Sequence, residues 1–182
     1  MKKNTFYTIM TAMFLIFFSN VTTVNADYIA DHEEKKGVKT LINVVDKNGE
    51  HVTLTKTFED VPFDDLTQAE IIDICYEYNV DPKLLFAVGY VETRWQSIPS
   101  YSGRSHGVWQ INPESCRNFM WSGCDLYNPI DNAIVACQVL SVWRETFPNI
   151  RESLMAYNAG YDRSRWVPEY ADKVLSAYNS LN

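Results

Sequence analysis

Glu92 is the acidic residue whose neighbours give it chemistry. With Leu85 at 0° and about 100° per residue, Leu84, Val88, Val91 and Trp95 fall between about 240° and 300° on a helical wheel. Glu92 falls at about 340°, inside the same apolar arc. A carboxylate on a core-facing stripe is costly when charged and unpaired, so desolvation is expected to raise its pKa and keep it protonated near neutral pH. That is the preparation a general acid needs. The same placement also fits a buried structural glutamate, paired with arginine or capped by backbone N–H groups, and helical spacing alone does not choose between the two.

The stretch that follows bears on the choice. Residues 93–113 contain no Asp or Glu, and carry turn-forming Ser100, Ser102, Gly103, Ser105 and Gly107. They also carry Trp95, Gln96, Tyr101, Arg104, His106, Trp109 and Gln110. Flat aromatic faces and hydrogen-bonding groups together suit a saccharide cleft. Taken singly, Trp95 or Trp109 reads as core packing, and His106 as a surface or packing residue.

These groups need elements to hold them. Thr67-Gln68-Ala69-Glu70 matches a capping box, followed by Ile71, Ile74, Cys75 and Tyr78 at helical spacing. Asp81-Pro82 reads as N-cap and first residue of a second helix, the one bearing Glu92. Asn128-Pro129 opens a third helix, ending near Thr146. Asn149 with Glu152 opens a fourth, which Gly160 ends. Pro168 opens a fifth, with Ala171, Val174, Leu175 and Tyr178 inward. Ahead of them, residues 38–45 and 51–58 are β-rich and flank Asn48-Gly49, a strong hairpin signal. The Asp46/Asn48/Gly49/Glu50 group there reads as an ordinary turn rather than a calcium loop.

The N-terminus is expected to be a targeting segment. Lys2 and Lys3 precede a mostly apolar run from 6 to 18, and Val24-Asn25-Ala26 resembles a small-x-small cleavage site. The apolar run is shorter than the roughly 20 residues of a membrane span. The expected organisation is a signal peptide at 1–26, a β-hairpin appendage at 27–61 and a helical domain at 62–182, in an exported protein that is secreted, periplasmic or wall-associated. Loss of 1–26 removes two lysines and no acids, taking the formal charge from −7 to −9. That balance excludes nucleic acid as a partner through a basic surface.

Four cysteines, Cys75, Cys116, Cys124 and Cys137, suggest disulfides in an exported chain, and three pairings are open. In one of them Cys116 with Cys124 staples a local loop while Cys75 with Cys137 joins two helices. The spacing fits no zinc pattern, and the histidines are His32, His51 and His106, so no metal and no cofactor are expected.

Five segments in order resemble the soluble lytic transglycosylases, a family related to goose-type lysozyme. The first is Leu84-Leu85-Phe86-Ala87-Val88-Gly89-Tyr90-Val91-Glu92-Thr93, a helix ending in an acid and a small hydroxyl residue. The second, Gly103-Arg104-Ser105-His106-Gly107-Val108-Trp109-Gln110-Ile111-Asn112-Pro113, is similar to the family's G-x-x-x-G-L-M-Q-I-x-P loop. Leu126-Tyr127-Asn128-Pro129-Ile130-Asp131-Asn132-Ala133, Ala156-Tyr157-Asn158-Ala159-Gly160 and Tyr170-Ala171-Asp172-Lys173-Val174 complete the set. Val108-Trp109 stands where the family has Leu-Met, Ser105 replaces an Ala, and Arg94 precedes the expected aromatic at Trp95.

The resemblance implies a lysozyme-like fold, so the expected class is α+β and predominantly helical, with a short N-terminal β hairpin. It implies that Glu92 protonates the glycosidic oxygen between N-acetylmuramic acid and N-acetylglucosamine of peptidoglycan, then as carboxylate takes the C6 hydroxyl proton, leaving a 1,6-anhydromuramic end. It assigns substrate contacts to Ser105, Gln110, Tyr157 and Asn158, with Trp109 as an aromatic contact and Tyr170 as both contact and orienter of Glu92. Expected partners are glycan strands and a secretion, conjugation or phage apparatus, with the chain a monomer. The alternatives are a hydrolytic muramidase, using Asp125, Asp131 or Glu114 as a second carboxylate at about 5–9.5 Å, and a non-catalytic glycan-binding or assembly protein.

Overall fold

The computed structural model describes residues 57–181 and the backbone of two strands, β1 (Ile42–Val45) and β2 (His51–Leu54). The strands pair antiparallel, Ile42 opposite Leu54 and Val45 opposite His51. The expected leader at 1–26 and the turn at 46–50 lie outside the described residues.

The described residues are predominantly helical: α1 (Asp65–Glu77), α2 (Pro82–Thr93), α3 (Pro129–Thr146), α4 (Ile150–Ala159) and α5 (Pro168–Ser180). Local chemistry starts each of them. Asp81, Asn128 and Asn149 cap α2, α3 and α4 by accepting from Lys83, Ile130 and Arg151 N–H, and Pro occupies the first turn of α2, α3 and α5. α1 begins earlier than the capping-box reading places it. Asp64 is the N-cap, accepting from the Thr67 N–H at 3.0 Å and the Thr67 hydroxyl at 2.7 Å. A carboxylate with two acceptor oxygens takes both donors, and Thr67 becomes part of the first turn.

α2 is the central helix. Leu84, Leu85, Phe86, Ala87 and Val88 are all buried, so it is apolar on every side rather than along one stripe. It packs chiefly on α5, while α3 packs on α1 and α4, and α4 on α5. Gln68 of α1 is buried as well and holds the approach to the helix. Its amide donates to the carbonyls of Val61 and Phe63, at 3.0 Å each, and its oxygen accepts from Phe58 N–H at 2.8 Å.

Candidate active site

α2 ends one residue after Glu92. Arg94 caps it in the left-handed region (φ 56°), and Trp95 follows at φ 61°. Two consecutive non-glycine residues there cost about 1–2 kcal/mol each. Ring contacts and one hydrogen bond hold them. The Arg94 guanidinium lies 3.9 Å over the Tyr90 ring, Trp95 packs on the same ring at 4.8 Å, and its indole N–H donates to the Phe86 carbonyl at 2.9 Å. The helix thereby stops abruptly, and Glu92 sits in its last turn.

Glu92 is largely buried, and burial raises its carboxyl above the usual carboxylate range. One influence opposes this: the Tyr170 hydroxyl of α5 donates to Oε1 at 2.6 Å. Glu92 Oε2 has no partner among the described residues, and no fully enclosed side-chain oxygen there lacks a partner, so Oε2 is not sealed in the core. The ion pairs among the described residues are Arg151–Asp172 and Arg163–Glu152, and Glu92 belongs to neither. The arginine-paired structural glutamate is therefore not what forms: the nearest arginine in sequence, Arg94, spends its charge on the Tyr90 ring.

Tyr157 of α4 completes the polar wall. Its hydroxyl donates to the Trp109 carbonyl at 2.7 Å. Burial pushes the phenols of both Tyr157 and Tyr170 well above their ordinary range, and the Glu92 charge adds to the push, so both remain O–H donors throughout the physiological range. Removing the Tyr170 donor leaves burial unopposed, so Glu92 holds its proton to higher pH. Tyr170→Phe is expected to move the alkaline limb of the kcat/KM–pH profile upward and lower kcat by about 10-fold, the scale of a hydrogen bond to a charged group. An alkaline limb that stays in place would show that this hydroxyl does not govern the Glu92 proton.

The loop at 96–112 faces this end of α2 and is braced mainly by its own backbone. His106 bridges to both Pro99 and Ile111, and Ser100 and Gly107 N–H donate to Ser105 and Ile98 carbonyls at 2.7 and 3.0 Å. The Thr93 hydroxyl ties the helix end to the loop at the Val108 carbonyl, 2.8 Å away. Gln110, also left-handed at φ 50°, donates its amide to Ile98 and Gly107 carbonyls, both at 2.9 Å. Its side chain here braces the loop. Ser105 is half-buried and Asn158 exposed. His106 shares a hydrogen bond with Tyr127 through Nδ1 at 2.9 Å.

Trp109 is a correction to the aromatic-contact expectation. It is 0% exposed, and its indole N–H donates to the Leu85 carbonyl at 2.7 Å. Gly89 makes room for it, since a Cβ there would come within 3.0 Å of Trp109 Nε1. Its ring fills the core beside α2, and only its carbonyl, through Tyr157, reaches the site.

Sequence reasoning missed Asn132. It is fully buried in α3, accepts from the Trp109 N–H at 2.8 Å and donates to the His106 carbonyl at 3.2 Å. The signal was present: Asn132 shares a helical stripe with Val135, Ala136 and Val139, a polar group on an apolar face like Glu92. Asp131 and Asp125 serve local structure, Asp131 accepting from Asp125 N–H and Asp125 from Tyr127 N–H. Among the described residues no cluster of three or more His, Cys, Asp or Glu stands ready to hold a metal ion.

No individual curated protein matches the chain. The transglycosylase SLT domain family matches residues 70–180, more than half of the chain and the whole span from the body of α1 to the end of α5. That span contains the half-open glutamate, the two tyrosines and the braced loop. The chain belongs to the transglycosylase SLT family, whose lytic chemistry is directed at peptidoglycan.

Proposed function

We propose that the protein is a lytic transglycosylase that cleaves the N-acetylmuramic acid–N-acetylglucosamine β-1,4 bond with Glu92 acting first as acid and then as base. The observation that carries this reading is the divided environment of one carboxyl group: Oε1 held by Tyr170, Oε2 open, and the whole raised by burial. In the first step the protonated Glu92 delivers its proton to the glycosidic oxygen, and the substrate's own N-acetyl group relieves the oxocarbenium-like centre. In the second, the Glu92 carboxylate, stabilised by the Tyr170 hydroxyl, takes the proton of the C6 hydroxyl as that oxygen closes on C1. The acid is regenerated and an anhydro end is left.

Its electrostatic surroundings favour one carboxylate used twice. Burial raises the Glu92 carboxyl and the Tyr170 hydrogen bond opposes it, with no second carboxylate contributing. Asp125 and Asp131, two of the three candidates for such a partner, with Glu114 the third, accept from local backbone instead. In this reading Ser105, Gln110, Tyr157 and Asn158 line the glycan path. The chain is exported behind residues 1–26, carries a hairpin appendage, and opens the wall as a monomer for a secretion, conjugation or phage apparatus.

Digestion of purified peptidoglycan followed by mass spectrometry tests the reaction. The expected muropeptides carry anhydromuramic ends, one water lighter than the hydrolytic products. Reducing ends would make the protein a hydrolase.

A further inference from the structure

We propose that Cys75 and Cys137 are joined as a disulfide that bolts α1 to α3 through the core; the cellular half of this proposal rests on the export reading above. Both thiols are buried, and their sulfurs lie 3.7 Å apart although the residues are 62 positions apart in sequence. The four cysteines are free thiols in the structure, and among the described residues this is the sulfur pair in contact. A disulfide needs a separation of about 2.05 Å, so the two sulfurs must close by less than 2 Å in total. Cys116 is buried and Cys124 half-buried, and no such sulfur contact is seen between them among the described residues, so the local staple, which belongs to one of the three open pairings, lacks this support.

The oxidant is a disulfide, either that of a dithiol oxidoreductase or oxidised glutathione. One cysteine thiolate attacks a sulfur of that donor, releasing one donor thiolate and forming a mixed disulfide. The second cysteine thiolate then displaces the remaining donor sulfur. The chain loses two protons and two electrons, and the donor is reduced to its dithiol, or to two thiols in the case of glutathione.

Burial sets the time at which this happens. It pushes the Cys75 thiol far above its ordinary range, with the Cys137 thiol and Asp81 adding to the effect, so the thiolate is scarce once α1 and α3 have closed. Exchange also needs a donor to reach the sulfur. The bond therefore forms while the chain is folding, and the closed domain then protects it from reductant. A 62-position closure is long enough for a large gain in stability from restricting the unfolded chain.

The test uses the full chain without its leader, unfolded, reduced, and refolded in a glutathione redox buffer. Expected results are a peptide pair linking Cys75 to Cys137 by non-reducing mass spectrometry, and a Tm about 10 °C or more above that of the reduced protein. Cys75→Ala with Cys137→Ala is expected to abolish the redox dependence of Tm, while Cys116→Ser with Cys124→Ser keeps it. Thiols at 75 and 137 that remain fully alkylatable after such refolding would overturn the proposal. So would equal Tm values for the linked protein and for protein reduced while unfolded and refolded with reductant present. The refolding arm is independent of export. A link that forms in the buffer but is missing from protein recovered from cells would overturn the export reading and leave the geometry standing.

Discussion

Glu92→Gln lowers lysis of a cell-wall suspension by about 10²–10⁴-fold, the range that a positioned general acid supplies. Gln keeps the shape and can still accept the Tyr170 hydroxyl, but carries no transferable proton. The same substitution is expected to raise Tm at neutral pH. The folded carboxyl has its pKa raised by burial, so as pH rises the unfolded chain releases its proton first. Stability is then lost between the unfolded and folded values, and above both the buried charge exerts its full penalty. Gln removes that slope. Below both values, where Glu92 is neutral in either state, wild type and variant should melt alike. The two readouts are independent, one from turbidity and one from thermal melts across pH. Retained lysis would dismiss Glu92 as the acid. A variant melting below wild type at neutral pH would dismiss the upward shift of the buried carboxyl.

Gly107→Ala destabilises the domain by roughly 3 kcal/mol and takes the loop at 96–112 with it. Gly107 is left-handed at φ 78°, and a Cβ there would stand 2.1 Å from the Leu126 carbonyl oxygen and 2.6 Å from Asn132 Cγ. Neither obstacle can yield easily. Leu126 presents backbone, and Asn132 is buried and fixed between Trp109 N–H and the His106 carbonyl. Gly103→Ala is the matched control, since Gly103 has a similar φ of 70° but open space where the Cβ would go. It should lose only the backbone contribution, about 1–2 kcal/mol. Urea unfolding of the two variants separates crowding from strain. Equal losses would mean that the contact behind Gly107 relaxes freely.

What the sequence made legible followed from how local the physics was. Asp81-Pro82, Asn128-Pro129 and Pro168 mark helix starts because a cap and a fixed φ act within one turn. Asp64 and Thr67 both offer capping oxygens, and which one wins depends on where the preceding chain enters, so that boundary slipped by three residues. Glu92 was found because a carboxylate among apolar residues at helical spacing is a local anomaly. Its partner was named through resemblance alone, because Tyr170 lies 78 positions away. Trp109 shows the limit of composition. The residue type suits a sugar face and a core equally, and only the gap at Gly89 decides for the core. The left-handed turns at Arg94, Trp95 and Gln110 carried no sign in residue type, because side-chain contacts formed in the folded helix end and loop hold them on residues that ordinarily avoid them.

The abrupt stop after Thr93 has a consequence for the proton itself. The peptide dipoles of α2 add up to a partial negative charge of about half an electron at its last turn. A carboxylate in that field is repelled, whereas a neutral carboxylic acid is not. Had the helix run on for two more turns, that negative pole would lie beyond reach of Glu92. By ending the helix where they do, Arg94 and Trp95 set the field in which the Glu92 carboxyl titrates.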